Sequence, residues 1–248
     1  MRVILIFLLL LVPHAALAIV NAEDLDLSIE EDGFAGKAGV SVSGSSGNTD
    51  KINGEGSLHL LWKHGDHTNI FSGSYGYGKS RGSRDTNKAF AHLRHRYALD
   101  HIWAVEAFVQ AQQDEFAQLR LRTLYGGGLR YSREMPNYAV YLGLGSFYEQ
   151  ERLRAAANTP DARLWRGNSY LAWHFAVNDR IRLQNTVYYQ PAWSDTADFR
   201  VLDDAAISIA LSNRLDLKLS LEVAHDSLPP AGIRQTDISY KTGLELRF

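Results

Sequence analysis

From residue 33 to the end of the chain, apolar and polar side chains alternate with a period of two. Between residues 215 and 223 every odd position is Leu or Val, and the even positions carry polar side chains such as Lys218 and Glu222. Residues 238–248 repeat this order. A helix would scatter these side chains around its circumference, whereas a strand places all the apolar ones on one side. The pattern therefore predicts β-strands with one apolar face and one charged face.

About twelve segments of this kind follow one another along the chain. Each is roughly ten to fourteen residues long, about twice the ordinary strand length and enough for a tilted strand to cross a bilayer. The predicted strands cover residues 33–44, 52–63, 67–78, 87–99, 102–113, 120–131, 138–149, 163–176, 180–190, 200–212, 215–226 and 236–248.

Short and long connections alternate between these segments. The short ones are residues 64–66, 100–101, 177–179 and 213–214, and the long ones are residues 79–86, 151–162, 191–198 and 227–234. Only the connection at residues 132–137 is longer than its place in the series predicts. Short turns at one rim and long loops at the other, on an even number of strands, are typical of bacterial outer-membrane barrels. Both termini are then expected on the periplasmic side.

The cost of exposing charge to hydrocarbon predicts which face is outside. An Arg or Lys on the lipid face near the midplane costs about 2–4 kcal/mol, so the aliphatic face should contact lipid and the charged face should line the lumen. Aromatic side chains near strand ends, among them Trp62, Trp103, Trp165 and Phe248, suit interfacial girdles. The predicted fold is all-β, a closed antiparallel transmembrane β-barrel of about twelve strands. The alternative is a soluble ligand-binding barrel with its apolar face inward, but such barrels typically close with about eight strands.

The first residues predict export. Arg2 precedes an apolar run at residues 3–12, and the small residues Ala16 and Ala18 form a cleavage pattern, so residues 1–18 are expected to be a removed signal peptide. Residues 19–32 are predicted to be a flexible acidic lead-in, and residues 33–248 the barrel. The chain has no Cys, which excludes disulfides, thiolate metal sites and Cys nucleophiles. A net charge of -2 and a pI near 6.5 argue against nucleic-acid binding.

Charged side chains of the inward face are concentrated on the middle strands, where most are basic. The predicted lumen-lining residues are Arg94, Arg96, Glu106, Arg120, Arg122, Arg130, Arg166 and Arg182. In one interpretation the lumen holds water and its basic wall concentrates anions. In the other, the arginines pair with Glu106 and with carboxylates across the ring and fill the interior. The excess of arginine over nearby acids favours the water-filled lumen.

Several motifs that look chemical are better explained by the barrel. Residues 73–80 match a phosphate-loop pattern and residues 78–82 a nucleophile-elbow pattern, but neither is followed by the helix that its chemistry needs. The glycines at 126–128 are attributed to tight curvature or close backbone approach. Inward His residues are assigned to a polar network. No catalytic residue, metal or cofactor is predicted, although an outer-membrane hydrolase with a Ser within reach of a His stays an alternative.

Four short motifs resemble those of a known family. Residues 46–50, 113–116, 119–123 and 126–129 read SGNTD, QDEF, LRLRT and GGGL, and with them the chain from about residue 33 to 248 resembles the family of salt-induced outer-membrane proteins. The resemblance implies a fold and a location in the Gram-negative outer membrane. The family has no agreed activity, so it assigns no functional residues.

The expected function is that of a non-enzymatic barrel in the outer membrane. It is predicted to be a monomer that acts as a narrow channel for small or anionic solutes, or as an envelope component responding to osmotic or salt stress. The stress role comes from the family resemblance alone. The expected partners are outer-membrane lipid, small solutes and the insertion machinery, which would read the terminal strand ending at Phe248.

Overall fold

The computed structural model describes residues 31–45, 51–154, 161–230 and 232–248. The predicted signal peptide and most of the predicted lead-in lie outside these residues. Within them, every regular element is a β-strand, and no helix is long and apolar enough to cross a membrane.

Twelve antiparallel strands form one closed ring, in which each strand pairs with its sequence neighbours and the first pairs with the last. They are β1 (Gly33–Ser45), β2 (Lys51–His64), β3 (His67–Ser80), β4 (Ser83–Ala98), β5 (Trp103–Asp114), β6 (Leu119–Met135), β7 (Tyr138–Leu153), β8 (Ala162–Ala176), β9 (Ile181–Pro191), β10 (Phe199–Ala210), β11 (Leu215–Asp226) and β12 (Thr236–Arg247). The predicted fold is confirmed.

The apolar face of the sheet is on the outside. On β11, Leu219 and Leu221 are exposed while Asp216 is buried, and on β7 the exposed Leu144 alternates with side chains that point inward. Because the barrel turns its aliphatic side chains away from the axis, polar and charged side chains make up most of the lining of its interior in the described residues. The alternative of a soluble barrel with an apolar interior is therefore wrong.

The connections at the two rims differ less in length than the sequence predicts. The β6–β7 connection is only Pro136 and Asn137, because residues 132–135 continue β6 and pair with β7. The β3–β4 connection shrinks in the same way to Arg81 and Gly82. Both have positive φ, 50° and 79°, as a tight two-residue hairpin turn requires. The prediction of a long loop at residues 79–86 is therefore wrong. The connection at residues 132–137, which the sequence predicts to be unusually long, is a short turn like the others at its rim.

A shared turn chemistry closes three hairpins at the rim that carries the C-terminus. Asp100 accepts hydrogen bonds from the backbone N–H groups of Ile102 and Trp103, each at 2.7 Å. Asn178 and Ser212 accept bonds in the same way at the β8–β9 and β10–β11 turns. These side chains satisfy N–H groups that the strands leave unpaired. The two N–H donors lower the pKa of Asp100, so this turn keeps its acceptor charged.

Glycines let β6 and β7 approach each other closely. A Cβ atom on Gly145 would run into the carbonyl oxygen of Gly127, and a Cβ on Gly128 would meet the carbonyl oxygen of Leu144. These obstacles are backbone atoms, which cannot rotate away as a side chain can. The glycine run at residues 126–128 thus serves close backbone approach, in agreement with the sequence analysis.

We expect Gly145→Ala to destabilise the barrel by about 1–3 kcal/mol, the usual cost of overpacking. Urea unfolding of the refolded protein in lipid vesicles, followed by tryptophan fluorescence, measures the change. Gly56→Ala is the matched control, because a Cβ on this outward glycine meets no atom within 4 Å. Equal stability of the two variants would contradict the close-approach explanation.

Candidate functional site

Three arginines surround one carboxylate inside the barrel. Glu106 on β5 lies 2.8 Å from Arg96 and 3.5 Å from Arg94 on β4, and 3.8 Å from Arg130 on β6. All four side chains point inward, and only Arg96 retains appreciable exposure. We call this group the Glu106 cluster. A single carboxylate offers several acceptor positions, so it can bind more than one guanidinium.

Tyr170 extends the Glu106 cluster across the interior. Its hydroxyl donates to Glu106 at 2.8 Å and accepts from Arg130 at 2.9 Å. Because β5 and β8 are not neighbours in the sheet, the bond to Glu106 must cross the interior. The Tyr170 ring lies over Gly143, where any Cβ would overlap it. Arg130 also stacks on the ring of Tyr141, 4.0 Å from its centroid.

A second cluster fills the interior toward the opposite rim. Glu149 on β7 accepts from Arg122 at 2.9 Å and from Arg166 at 2.6 Å, and it also binds Arg200. Glu151 binds Arg122 and, at 3.2 Å, Arg200. Arg200 and Arg166 continue the network to two further carboxylates, Asp226 at 2.8 Å and Asp198 at 2.9 Å. We call this group the Glu149 cluster.

In the Glu149 cluster, carboxylates balance the arginines, whereas the sequence predicts an excess of arginine on these strands. Arg200 on β10 reaches Glu149 and Glu151 on β7, although β8 and β9 lie between these strands in the sheet, so these contacts also cross the interior. The expectation of a water-filled lumen with an arginine excess is wrong for this half, because the buried arginines have carboxylate partners. Buried charges persist when they are paired and hydrogen-bonded. The interior next to strands β4 to β8 is therefore braced by ion pairs.

Two of the eight predicted lumen residues lie outside both clusters. Arg182 pairs with Asp216 at 3.3 Å, and Asp216 also binds Arg247 at 2.9 Å. Arg120 is exposed and takes no part in either cluster. It sits where the register between β6 and β7 shifts, with Leu119 opposite Leu153 and Leu121 opposite Arg152. This β-bulge breaks the alternation on which its predicted position depends.

The acids of the Glu149 cluster are not among the residues that the sequence predicts to line the lumen. Glu151 falls in the segment predicted as a loop and Glu149 at its edge, but β7 continues to Leu153. Continued period-two alternation from Tyr141 through Phe147 would have placed both acids inward. Asp226 and Arg200 lie at the predicted ends of their strands. Nothing in the sequence pattern indicates that Arg200 and Glu149 meet.

The other side of the interior contains a cavity of about 170 Å³. Small side chains on β1, β2, β3, β11 and β12, such as Gly39, Ser57 and Ser220, leave the space open. Ion pairs line its wall: Lys241 lies 2.7 Å from Glu55, and Lys218 lies 3.1 Å from Glu245. Asp204 and Glu222 complete the charges of the lining. Lys88, next to the cavity, lies 3.2 Å from Glu55.

A Ser–His contact lies beside the cavity. His59 on β2 lies opposite Ser72 on β3, with 3.1 Å between the imidazole Nδ1 and the hydroxyl oxygen. Ser72 is only 1% exposed, which leaves its hydroxyl little room to attack a substrate. The phosphate-loop pattern at residues 73–80 lies within β3 and precedes a hairpin turn, so it forms no phosphate site. Among the described residues, no group of His and acidic side chains has the arrangement to hold a metal ion.

Comparison with known proteins supports this architecture. The family described as "Protein of unknown function, DUF481" matches residues 38–248. The NanC porin is similar in structure, with a TM-score of 0.54 at 10% identity, over 86% of this chain and 98% of the porin. An outer-membrane channel from Pseudomonas putida F1 has a TM-score of 0.51 at 13% identity, over 89% of this chain and 96% of that protein. No curated protein matches the sequence. At these identities the likeness shows the shared barrel fold.

We expect Glu149→Ala to destabilise the protein by about 3–5 kcal/mol, because removal of one member of a buried ion-pair network leaves charges uncompensated. Urea unfolding in lipid vesicles measures the loss. The control is Arg84→Ala, which removes an exposed partner of Glu115 and should cost about 0–1 kcal/mol. A loss for Glu149→Ala no larger than that for the control would contradict the bracing role.

Proposed function

The chain belongs to the family described as protein of unknown function DUF481, and from this and its barrel fold we propose that it is a non-enzymatic narrow channel for small solutes in the outer membrane of a Gram-negative cell. The cavity carries the proposal. It is a polar, charged space inside a closed barrel whose outer face is apolar. The polar interior can hold water and small ions, and the apolar outer face is compatible with the hydrocarbon of the membrane.

The proposed solute path follows the cavity side of the interior. The Glu106 and Glu149 clusters occupy the other side with side chains that bind one another, so solutes pass between β1, β2 and β3 on one flank and β10, β11 and β12 on the other. Selectivity in this path is set by the charged side chains that line the cavity, which are Lys218, Lys241, Glu55, Asp204, Glu222 and Glu245. It does not come from the middle-strand arginines, whose charges are balanced by their partners. Because both lysines are paired with carboxylates and acidic side chains outnumber them in the lining, we propose a path for small solutes with a weak preference for cations.

The remaining features of the proposal follow from the sequence. Residues 1–18 direct export, and both termini lie on the periplasmic side. Phe248 ends the strand that the insertion machinery recognises, and the barrel works as a monomer. A role under salt stress rests on the family resemblance described above.

A hydrolase remains the second candidate, because His59 and Ser72 make the contact that it requires. A fluorophosphonate probe, which reacts with activated serines, tests it. We expect no labelling. Labelling that Ser72→Ala removes would favour the hydrolase over the channel.

In planar bilayers, we expect the purified protein to give small discrete conductance steps, because the cavity is narrow and charged. Insertion should be checked in parallel by the resistance of the vesicle-embedded barrel to protease. Inserted protein that gives no conductance above background would contradict the channel.

We expect the double variant Lys218→Gln and Lys241→Gln to move the reversal potential in a salt gradient toward stronger cation preference, since it removes two positive charges from the solute path. Arg152→Gln removes one positive charge from an exposed position at the rim and should leave the reversal potential nearly unchanged. An equal shift in the two proteins would show that ions do not pass the cavity lysines.

A further inference from the structure

One carboxylate faces outward within the apolar band of the barrel. Asp203 is the fifth of the twelve residues of β10, and both of its chain neighbours point inward, since Leu202 is buried and Asp204 lines the cavity. Alternation along the strand therefore turns Asp203 toward the surroundings. The other outward Asp, Glu, Lys and Arg side chains of the described strands lie close to a strand end, as Lys79 and Arg163 do. Asp203 is the exception.

The side chains around Asp203 on the outer face are short and apolar. Val187 and Val223 lie opposite it on β9 and β11, and Val201 and Ala205 flank it on β10. All four are half-buried. The bulkier outward side chains next to this patch are more exposed; they are Tyr189, Ile207 and Leu221. Asp203 thus lies at the floor of a shallow apolar patch, which we call the Asp203 depression.

The polar neighbour of Asp203 on this face is Asn185 of β9. Its amide nitrogen donates to Asp203 Oδ1 and, at 3.3 Å, to the backbone oxygen of Asp204. An amide nitrogen carries two hydrogens, so both are used. The second carboxylate oxygen of Asp203 and the amide oxygen of Asn185 accept no hydrogen bond from the described residues. The Asp203 depression therefore presents acceptors and no remaining donor.

These acceptors determine what can cover the depression. An ionisable side chain in the hydrocarbon region is costly, and in membrane proteins such a residue marks a functional site. A second copy of this chain supplies no donor, because two depressions that meet about a two-fold axis bring carboxylate against carboxylate. An ammonium group supplies both N–H donors and the opposite charge, and its attraction to a carboxylate is stronger in a medium of low dielectric. Since the surrounding side chains are apolar, the ammonium must be attached to an apolar group.

From this arrangement we infer that the Asp203 depression is a binding site for a lipophilic primary amine that reaches it from the bilayer. The ammonium group donates to the second carboxylate oxygen of Asp203 and to the amide oxygen of Asn185, and the alkyl chain covers the valines around them. The depression spans three neighbouring strands, about 10 Å. This width suits one alkyl chain better than the broad face of a second protein.

This inference requires the membrane location of the proposed function but not its conductance. The depression lies on the outer face of the sheet, and the cavity lies on the inner face. Bilayer recordings of the unmodified protein therefore test the channel, and the following experiment tests the amine site.

The experiment uses dodecylamine with a photoreactive diazirine in the alkyl chain close to the nitrogen. The protein is placed in phosphatidylcholine vesicles with the probe, irradiated, and analysed by peptide mass spectrometry. We expect labelling of β9 and β10 around Asn185 and Asp203 well above that of other lipid-exposed strands such as β6 and β7, and we expect unlabelled dodecylamine to suppress it. Even labelling of all lipid-exposed strands would overturn the inference.

Removal of the carboxylate supplies the decisive arm. Asp203→Asn keeps the shape of the side chain and removes a charge from the hydrocarbon region, so the barrel should still insert, as protease resistance in vesicles will show. Asp195→Asn makes the same change at an exposed position in the β9–β10 connection and is the matched control. We expect Asp203→Asn to reduce labelling of β9 and β10 to the level of β6 and β7, and the control to leave it unchanged. Persistent labelling of Asp203→Asn would overturn the site.

A third arm tests the chemical class of the ligand on the unmodified protein. A dodecanol probe with the same diazirine has a donor but no charge, and it should label β9 and β10 less than the amine does. Equal labelling by the two probes would overturn the assignment of an ammonium group.

A fourth arm tests whether a second copy covers the depression instead. The chain has no Cys, so Val187→Cys places a single thiol beside Asp203, and Leu144→Cys places one on the exposed outer face of β7 as the control. We expect equally low yields of disulfide-linked dimer in vesicles. A yield for Val187→Cys well above that of the control would overturn the amine site in favour of a dimer contact.

Discussion

The structure depends on one constraint: polar groups that face hydrocarbon must find their partners within the molecule. For the backbone, the solution is a ring of strands whose hydrogen bonds run from each strand to the next. For the side chains, the solution is alternation, which sends Leu219 and Leu221 outward and Lys218 and Glu222 inward. The glycines of β6 and β7 and the hairpin turns allow the ring to curve and close.

The same constraint organises the interior. Once charged side chains point toward the axis, they must meet water or each other, and the two sides of the ring differ in which they meet. Near β4 to β8, long arginines reach across to Glu106 and Glu149 and occupy the space. Near β1 and β12, Ser and Gly leave the space unfilled. Division of the interior into a braced side and an open side is thus a consequence of side-chain length as much as of charge.

The sequence predicts the local features well because they depend on neighbouring residues. Alternation at residues 215–223 is enough to define a strand, its two faces and the direction of each face in a membrane. Rules that depend on loop length fail where polar residues belong to strands, as at Ser83 to Thr86 and at Ser132 to Met135. Polar residues near a rim are compatible with both a strand and a loop, so composition does not distinguish them.

The candidate site is less predictable for a different reason. The contact of Arg200 with Glu149 joins strands that are not adjacent, and it exists only because the ring closes with a particular register and curvature. Period-two patterns specify the face of each residue but not its partner across the axis. The β-bulge at Arg120 likewise depends on pairing between strands, which no single segment encodes.

The sidedness of the barrel is the central claim, and thiol labelling in vesicles tests it most directly. Single variants Ser220→Cys and Leu219→Cys, neighbours on β11, are treated with a water-soluble and with a lipid-soluble maleimide. The account predicts that the thiol at position 220 reacts with the water-soluble reagent and that the thiol at 219 reacts only with the lipid-soluble one. The opposite pattern would mean that the apolar face looks inward, and it would contradict the account.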